Sequence, residues 1–286
     1  MDSFYIKHIE DILSAKVKNV ITVSGGDISR AFKIETEIGH YFLKTNSNAN
    51  AYNMFKAEKL GLENIKGSQS VATPKVIACG ILKQAAFLLM EYVEPKTPSE
   101  KDFKNFGEQL AKLHQCTSNS FGLNQDNFIG SLPQSNQQHK NWLDFYTYER
   151  LLPQLKLAQQ KNLLSNYECP SNETIKSHLK PLLKNIKPSL LHGDLWYGNY
   201  LISNNGLPYL IDPAMYYGHS EVDIAMSKLF GGFGESFYKA YHSQFPQNQH
   251  TAARIEIYQL YYLLVHLNLF GSSYYGAVTS ILAKHF

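Results

Sequence analysis

Cysteine is scarce in this 286-residue chain: Cys79, Cys116 and Cys169 are three, far apart, and never in a CxxC pair. That count excludes a disulfide framework or a zinc ribbon and reads as reduced thiols in a cytoplasmic protein. The eleven histidines include no HExxH or other paired metal spacing. Excess charge is missing too. The formal net charge is +3 with the basic residues dispersed, which argues against a nucleic-acid partner. No apolar run approaches the roughly 20 residues of a membrane span. The longest, Leu260 to Leu269, is broken by His266 and Asn268. The opening MDSFYIKHIEDIL carries acidic residues and no apolar h-region, so no signal peptide and no membrane association is expected. Internal repeats and low-complexity tracts are absent as well. What remains is 44% hydrophobic and 13% aromatic sequence, enough for the core of one large domain or two ordinary ones.

The most informative stretch is Leu190 to Pro213, LLHGDLWYGNYLISNNGLPYLIDP. Two short strand-like runs, Tyr200–Ile202 and Tyr209–Ile211, flank Asn204-Asn205-Gly206, and Asn205-Gly206 is a strong signal for a two-residue hairpin turn. With the turn placed there, Asn204 faces Leu207 and Asn199 faces Asp212, setting an amide beside a carboxylate at the open end of the hairpin. Oxygen ligands so placed suit Mg²⁺, which takes few protein ligands and completes its shell with water and phosphate oxygens. Asp194 lies five residues before Asn199. That is the spacing of a kinase catalytic loop, where the Asp accepts the substrate hydroxyl proton and the Asn holds a metal.

Upstream, residues 4–14 have helical apolar spacing. Val17–Val23, Ile28–Glu37 and His40–Thr45 read as strands, with turns at Ser24-Gly25-Gly26-Asp27 and at Gly39. Backbone at Gly25 and Gly26 can approach phosphates, since no Cβ intervenes. Lys44 shares a strand face with Phe42 and points inward. Glu58, in a helix expected over Ala49–Leu60 and ending at a Gly61 cap, shares the face of Phe55 and Leu62. The two match a strand–helix ion pair that holds nucleotide phosphates. Two more strands, Lys75–Cys79 and Ala86–Val93, are expected around a Gly80 turn. The second exits abruptly into charge, as a nucleotide-binding hinge does, so the backbone of Met90, Glu91 and Tyr92 is a candidate for an adenine edge. The smaller lobe is placed at residues 1–93.

Residues 94–286 read as helical. Thr97-Pro98-Ser99-Glu100 is expected to cap a helix carrying Phe103, Phe106, Leu110 and Leu113. Residues 116–138 form an irregular connection long enough to suggest a functional loop. Trp142–Leu152 reads as an amphipathic helix ending before Pro153, followed by helices over 172–186, Glu221–Phe230, Glu235–Phe245, Ala252–Phe270 and from about Tyr274. Asp223, near a helix start, reads first as a helix-dipole partner and second as a brace for the catalytic loop.

The order Gly-rich turn, strand Lys, helix Glu, hinge, HGDLWYGN and IDP resembles the protein-kinase-like fold of small-molecule kinases. SGGDIS, FGLNQDNFIG, EVDIAMSKLFGGF and YQLYYLLVHLNLFGSSYY together resemble the fructosamine kinase (ketosamine-3-kinase) family nearly end to end. The resemblance implies an α+β, two-lobed fold with a small antiparallel β-rich N-lobe and a larger helical C-lobe. It also implies an ATP- and Mg²⁺-dependent transfer to the 3-hydroxyl of a free or protein-bound ketosamine, in deglycation repair. Asp194 would be the base, and Asn199 and Asp212 the Mg²⁺ ligands. Lys44 would contact the phosphates, oriented by Glu58 beneath a Ser24–Ile28 lid, with Trp196 a platform for the sugar. Some relatives carry a cysteine in the Gly-rich loop; this chain has none between Gly25 and Lys44, so thiol control of that loop is not expected. An aminoglycoside- or choline-type kinase would call for an acidic acceptor pocket, and the helical half is not notably acidic. A catalytically inactive nucleotide-binding protein would have lost Asp194, Asn199 or Asp212, and all three are present.

Overall fold

A computed structural model describes residues 3–23 and 29–286. The expected phosphate contacts at Gly25 and Gly26 lie outside the described residues. Helix α1 (Ser3–Leu13) precedes strands β1 (Val17–Val23), β2 (Arg30–Thr36) and β3 (His40–Asn46). Helix α2 (Ala51–Gly67) then leads to β4 (Val76–Leu82) and β5 (Ala85–Glu91). The five strands form one sheet in the order β1-β2-β3-β5-β4, antiparallel at every pairing. The near-continuous apolar run of β5 follows from its inner position. Successive side chains of a strand alternate faces. Phe87 and Leu89 join Ile9 of α1 and Phe32, Ile34 and Leu43 on one face. Ala86, Leu88 and Met90 join Ala51, Phe55 and Leu62 of α2 on the other.

Two glycines expected to terminate elements sit inside them instead. Gly80 lies within β4, its Cα facing the Phe87 ring, and the β4–β5 turn falls at Lys83, which takes a positive φ of 54°. Gly61 does not cap α2, which runs on to Gly67. A Cβ at Gly61 would stand 2.7 Å from Cγ of Pro213, so glycine here permits the helix to touch the segment just after Asp212. Beyond that contact, Ile65 and Val71 are already part of the large-lobe core. The Ala72 carbonyl accepts the Leu210 amide at 2.9 Å.

The second lobe begins with α3 (Glu100–His114). Its capping box is Ser99 with Asp102, not Thr97 with Glu100: the Ser99 hydroxyl receives the Asp102 amide, and the Asp102 carboxylate receives the Ser99 amide. Within the 116–138 connection a short hairpin forms from β6 (Asn127–Ile129) and β7 (Leu132–Gln134). Helix α4 (Trp142–Phe145) passes through a π-helical turn (Tyr146–Leu151) into α5 (Leu152–Gln160). Pro153 therefore does not end the helix. It sits in the first turn of α5, where a missing N–H costs little. Then come α6 (Asn172–Leu179), β8 (Ser189–Leu191), β9 (Tyr200–Ile202), β10 (Pro208–Leu210), β11 (Tyr216–Gly218), α7 (Glu221–Leu229), α8 (Glu235–His242), α9 (Thr251–Phe270) and α10 (Tyr275–His285). Helix α9 is buried almost all round and forms the axis of this lobe.

The β9–β10 hairpin departs from the expected register by one residue. Tyr200 pairs with Leu210 and Ile202 with Pro208; the Ser203 amide also meets the Leu207 carbonyl at 2.9 Å, so three residues, 204–206, make the turn, and Asn199 faces Ile211, whose amide its carbonyl accepts at 3.1 Å. Gly206 alone takes the left-handed conformation (φ 83°), as in a turn followed by a bulge. The hairpin is sewn to the inter-lobe linker, Lys96 amide to Ile202 carbonyl at 2.8 Å and Asn204 amide to Glu94 carbonyl at 3.2 Å.

Gly61→Val should force α2 and Pro213 apart. Overpacking of this kind costs about 1–3 kcal/mol, so the urea midpoint should fall; an unchanged midpoint would show that the contact bears no load.

Candidate active site

The candidate catalytic loop leaves β8 at Leu191, which pairs with Tyr216 of β11. Its first residues turn their amides inward. The fully buried carboxylate of Asp223, on α7, accepts the His192 amide at 2.7 Å and the Gly193 amide at 2.8 Å, and its Oδ2 lies 3.1 Å from His114 Nε2. Asp223 thus braces the loop, the reading ranked second from sequence. Gly193 has φ 85°, and a Cβ there would meet the Ala214 carbonyl oxygen at 2.1 Å, so no other residue fits. Its own carbonyl accepts the Tyr262 hydroxyl at 2.7 Å. The His192 imidazole faces the Ile211 carbonyl through Nε2 (2.8 Å) and the Asp194 amide through Nδ1 (3.2 Å). A carbonyl can only accept and an amide only donate, so His192 carries its proton on Nε2 and is neutral. Burial, which lowers its pKa, agrees.

Asp194 follows at the cavity floor. Burial pushes its carboxyl up to about 7; the hydrogen bond from Asn199 opposes this shift and the nearby Asp223 charge adds to it. The Asn199 amide nitrogen donates to the Asp194 carbonyl (2.8 Å) and to Oδ2 of its carboxylate (3.1 Å). That leaves the Asn199 side-chain oxygen for the cavity it lines. Asp212, after the hairpin, adopts a left-handed backbone conformation (φ 54°), a conformation aspartate tolerates better than most residues. Its carboxylate meets the Lys44 ammonium, which Glu58 Oε1 holds from the other side at 2.8 Å. The strand–helix pair expected from sequence is present and extends across the lobes.

These groups share a cavity of about 610 Å³. One end holds Lys44, Glu58, Asp194, Asn199 and Asp212. The other is aromatic: Trp196, Phe230, His266, Phe270 and Tyr274, with Phe128, Ile129 and Gly130 of the β6–β7 hairpin also on the wall. Trp196 closes over the backbone of Gly198, where a Cβ would lie 2.6 Å from the indole. The His266 ring is 4.8 Å from Phe230 and 5.1 Å from Tyr274. Its Nδ1 donates to the Tyr262 carbonyl at 2.8 Å, and burial lowers its pKa, so the imidazole is neutral. Among the described lining residues the charged ones are three carboxylates and one lysine. Polyphosphate cannot settle against that balance without added cations. One carboxylate oxygen and one amide oxygen are a donor set that fits Mg²⁺.

Three expected residues are not brought to this cavity. Met90 is packed into the core beneath α2. The Glu91 amide is taken by the Lys75 carbonyl (2.9 Å) and the Tyr92 amide by the His40 carbonyl (3.2 Å), so neither of these donors is free for a ligand. Phe230, His266, Phe270 and Tyr274 are not singled out by the sequence, because aromatic residues at helical spacing read as core; the Phe128–Gly130 hairpin lies in the 116–138 connection expected to be functional.

A family model described as fructosamine kinase matches residues 1–286. A probable ketoamine kinase of Enterococcus faecium is 40% identical over 280 residues, 96% of this chain and 98% of that protein. A chloroplastic protein-ribulosamine 3-kinase of Arabidopsis thaliana is 38% identical over 275 residues, covering 94% and 83%. Among solved structures, an inferred fructosamine-3-kinase from Haemophilus somnus superposes with a TM-score of 0.88 at 27% identity, covering 99% of this chain and 96% of that one. An aminoglycoside phosphotransferase solved with ADP and hygromycin B shares the fold, with a TM-score of 0.62 at 16% identity over 98% of each chain.

Removing the Asp223 brace should be costly. Asp223→Ala leaves two buried amides without an acceptor at about 1–3 kcal/mol each, so chemical denaturation should show a loss of about 2–6 kcal/mol. A loss within the ±0.5 kcal/mol typical of surface changes would mean the loop holds its own shape.

Proposed function

Since the chain belongs to the fructosamine kinase family and is a kinase, we propose that it transfers the γ-phosphoryl group of ATP to a sugar hydroxyl of a ketosamine. The 3-hydroxyl is the position named for the ribulosamine kinase relatives, and removal of sugars from glycated amines is the role that follows. The observation that carries the reading is one cavity joining the hydrogen-bonded Asp194–Asn199 pair to the Lys44–Glu58–Asp212 cluster.

In this reading Asp194 receives the hydroxyl proton. A general base works best when its pKa is near the working pH, and burial has moved Asp194 toward that range. The Asn199 amide holds the carboxylate in place while its oxygen, with Asp212, would hold Mg²⁺. When bound, the ion supplies the positive charge that three carboxylates and one lysine lack. Lys44, fixed by Glu58, binds phosphate oxygens. Little covalent help is required for phosphoryl transfer, so positioning and charge supply most of the rate. In this reading adenine lies along the linker that follows Met90–Tyr92; Gly25 and Gly26, outside the described residues, would contact the phosphates; and the small lobe ends near residue 93. Trp196 provides a face for the sugar. The acceptor end carries no carboxylate beyond Asp194 among the described residues, which disfavours the polycationic acceptors of the aminoglycoside enzymes.

The test is coupled-assay ATP turnover against a ribulose-lysine, a fructose-lysine, choline and kanamycin. Turnover is expected on a ketosamine, lost on chelation and restored by Mg²⁺. Asp194→Asn should lower kcat by about 10²–10⁴-fold while ATP still binds. Turnover on choline or kanamycin alone would reassign the acceptor, and full activity of Asp194→Asn would remove the base.

A further inference from the structure

Arg150 is a fully buried charge with no carboxylate opposite it among the described residues. The neighbouring Glu149 side chain is engaged with His139 at 2.8 Å. By contrast the other buried arginine, Arg254, has a forked pair with Glu221, both contacts at 2.6 Å. Burying a guanidinium without a carboxylate is costly unless its donors are met. Here the two terminal nitrogens are met by Ser135 and Asn136 of one segment and by the adjacent Glu149 carbonyl, while Nε is buried without a partner among the described residues. Nη1 donates to the Ser135 carbonyl (2.6 Å) and to the Glu149 carbonyl (2.8 Å), and Nη2 donates to Asn136 Oδ1 (2.7 Å). The planar group lies 4.0 Å from the centre of the Tyr216 ring and 4.6 Å from that of Phe145.

From that anchor a chain of buried amides runs toward the cavity. Gln134, next to Ser135, accepts the Tyr261 hydroxyl (2.5 Å) on its oxygen. Its nitrogen donates to Asn127 Oδ1 (2.7 Å) and faces the Ala214 carbonyl at 3.4 Å. Asn127 in turn donates to the Met215 carbonyl at 2.8 Å. The two ends of the β6–β7 hairpin are thus tied to each other and to the residues two and three positions after Asp212. Between those ends lie Phe128, Ile129 and Gly130, which form part of the cavity wall. The π-helical turn that carries Arg150 is a local departure from α-helix of the kind that re-aims a side chain.

We propose that Arg150 is a positioning residue for the acceptor. Through Ser135, Asn136 and the Gln134–Asn127 pair it sets the distance between the Phe128–Gly130 wall and the catalytic floor. β6 also packs against α2, the helix that carries Glu58. That helix is held independently by the sheet, through Ala51, Phe55 and Leu62, and by Pro213 against Gly61, and Lys44 is held between Glu58 and Asp212. Loosening the hairpin is therefore expected to act more on the acceptor space than on the nucleotide side. This inference rests on the kinase reading above.

Two variants test it, both assayed as full-length protein beside the wild type. Arg150→Lys keeps the charge but loses the planar fork and its stacking. Tyr261→Phe removes the single hydroxyl that donates to Gln134. Both are expected to raise KM for the ketosamine by about tenfold or more, with KM for ATP within about twofold and the far-ultraviolet circular dichroism spectrum unchanged. Equal rises in both KM values, or a lowered melting temperature with neither KM altered, would make Arg150 a structural residue and overturn the proposal. If Arg150→Lys fails to fold, the KM split of Tyr261→Phe decides alone. Absence of ketosamine turnover in the wild type would overturn the kinase reading itself, a separate outcome from either.

Discussion

The site depends on a carboxylate that never meets substrate. A tight loop must point several backbone amides away from the groups it presents, and buried amides require acceptors. Asp223 supplies two acceptor oxygens at one point, to His192 and Gly193, and so fixes where Asp194 begins. The constraint spreads outward from there. His114 on α3 and Tyr262 on α9 both touch this node, so these two helices of the large lobe are registered on the same loop. The neutral imidazole of His192 then spans from the Asp194 amide to the Ile211 carbonyl, linking Asp194 to the residue before Asp212. Asp194 and Asp212 are therefore positioned by one continuous buried network.

Much of this was legible in the chain. The spacing of Asp194, Asn199 and Asp212, together with Lys44 and Glu58, was enough to locate the cluster, because ligands separated by a short loop or hairpin are confined by local geometry. The fold class was legible for a similar reason: alternating and continuous apolar runs mark strands with one or two covered faces. Failures concentrated where a local rule was overruled by tertiary contact. Gly61 and Gly80 look like stops, yet each is small because a neighbour, Pro213 or Phe87, comes close. Asn205-Gly206 signalled a two-residue turn, but an adjoining bulge moved the register by one and placed Asn199 opposite Ile211. Pro153 looked like a terminator and became the first turn of a new helix.

The remainder could not be read in advance because its meaning lies in pairs distant in sequence. Asp223 is an ordinary helix-start carboxylate until His192 is seen against it. Arg150 is an ordinary helix residue until the loop at Ser135 and Asn136 closes over it. The aromatic wall formed by Phe230, His266 and Tyr274 is drawn from two segments whose compositions resemble any buried helix.

The contact between Gly61 and Pro213 reaches beyond packing. Helix α2 carries Glu58 yet is seated on the larger lobe through Gly61, Ile65 and the Ala72–Leu210 hydrogen bond. In a molecule built this way the helix does not swing in and out as a separate part. The same helix is packed into the sheet through Ala51, Phe55 and Leu62 against Ala86, Leu88 and Met90 of β5, so it is a shared beam between strands and floor. The separation of Glu58 from Asp212, with Lys44 between them, is set from both sides at once.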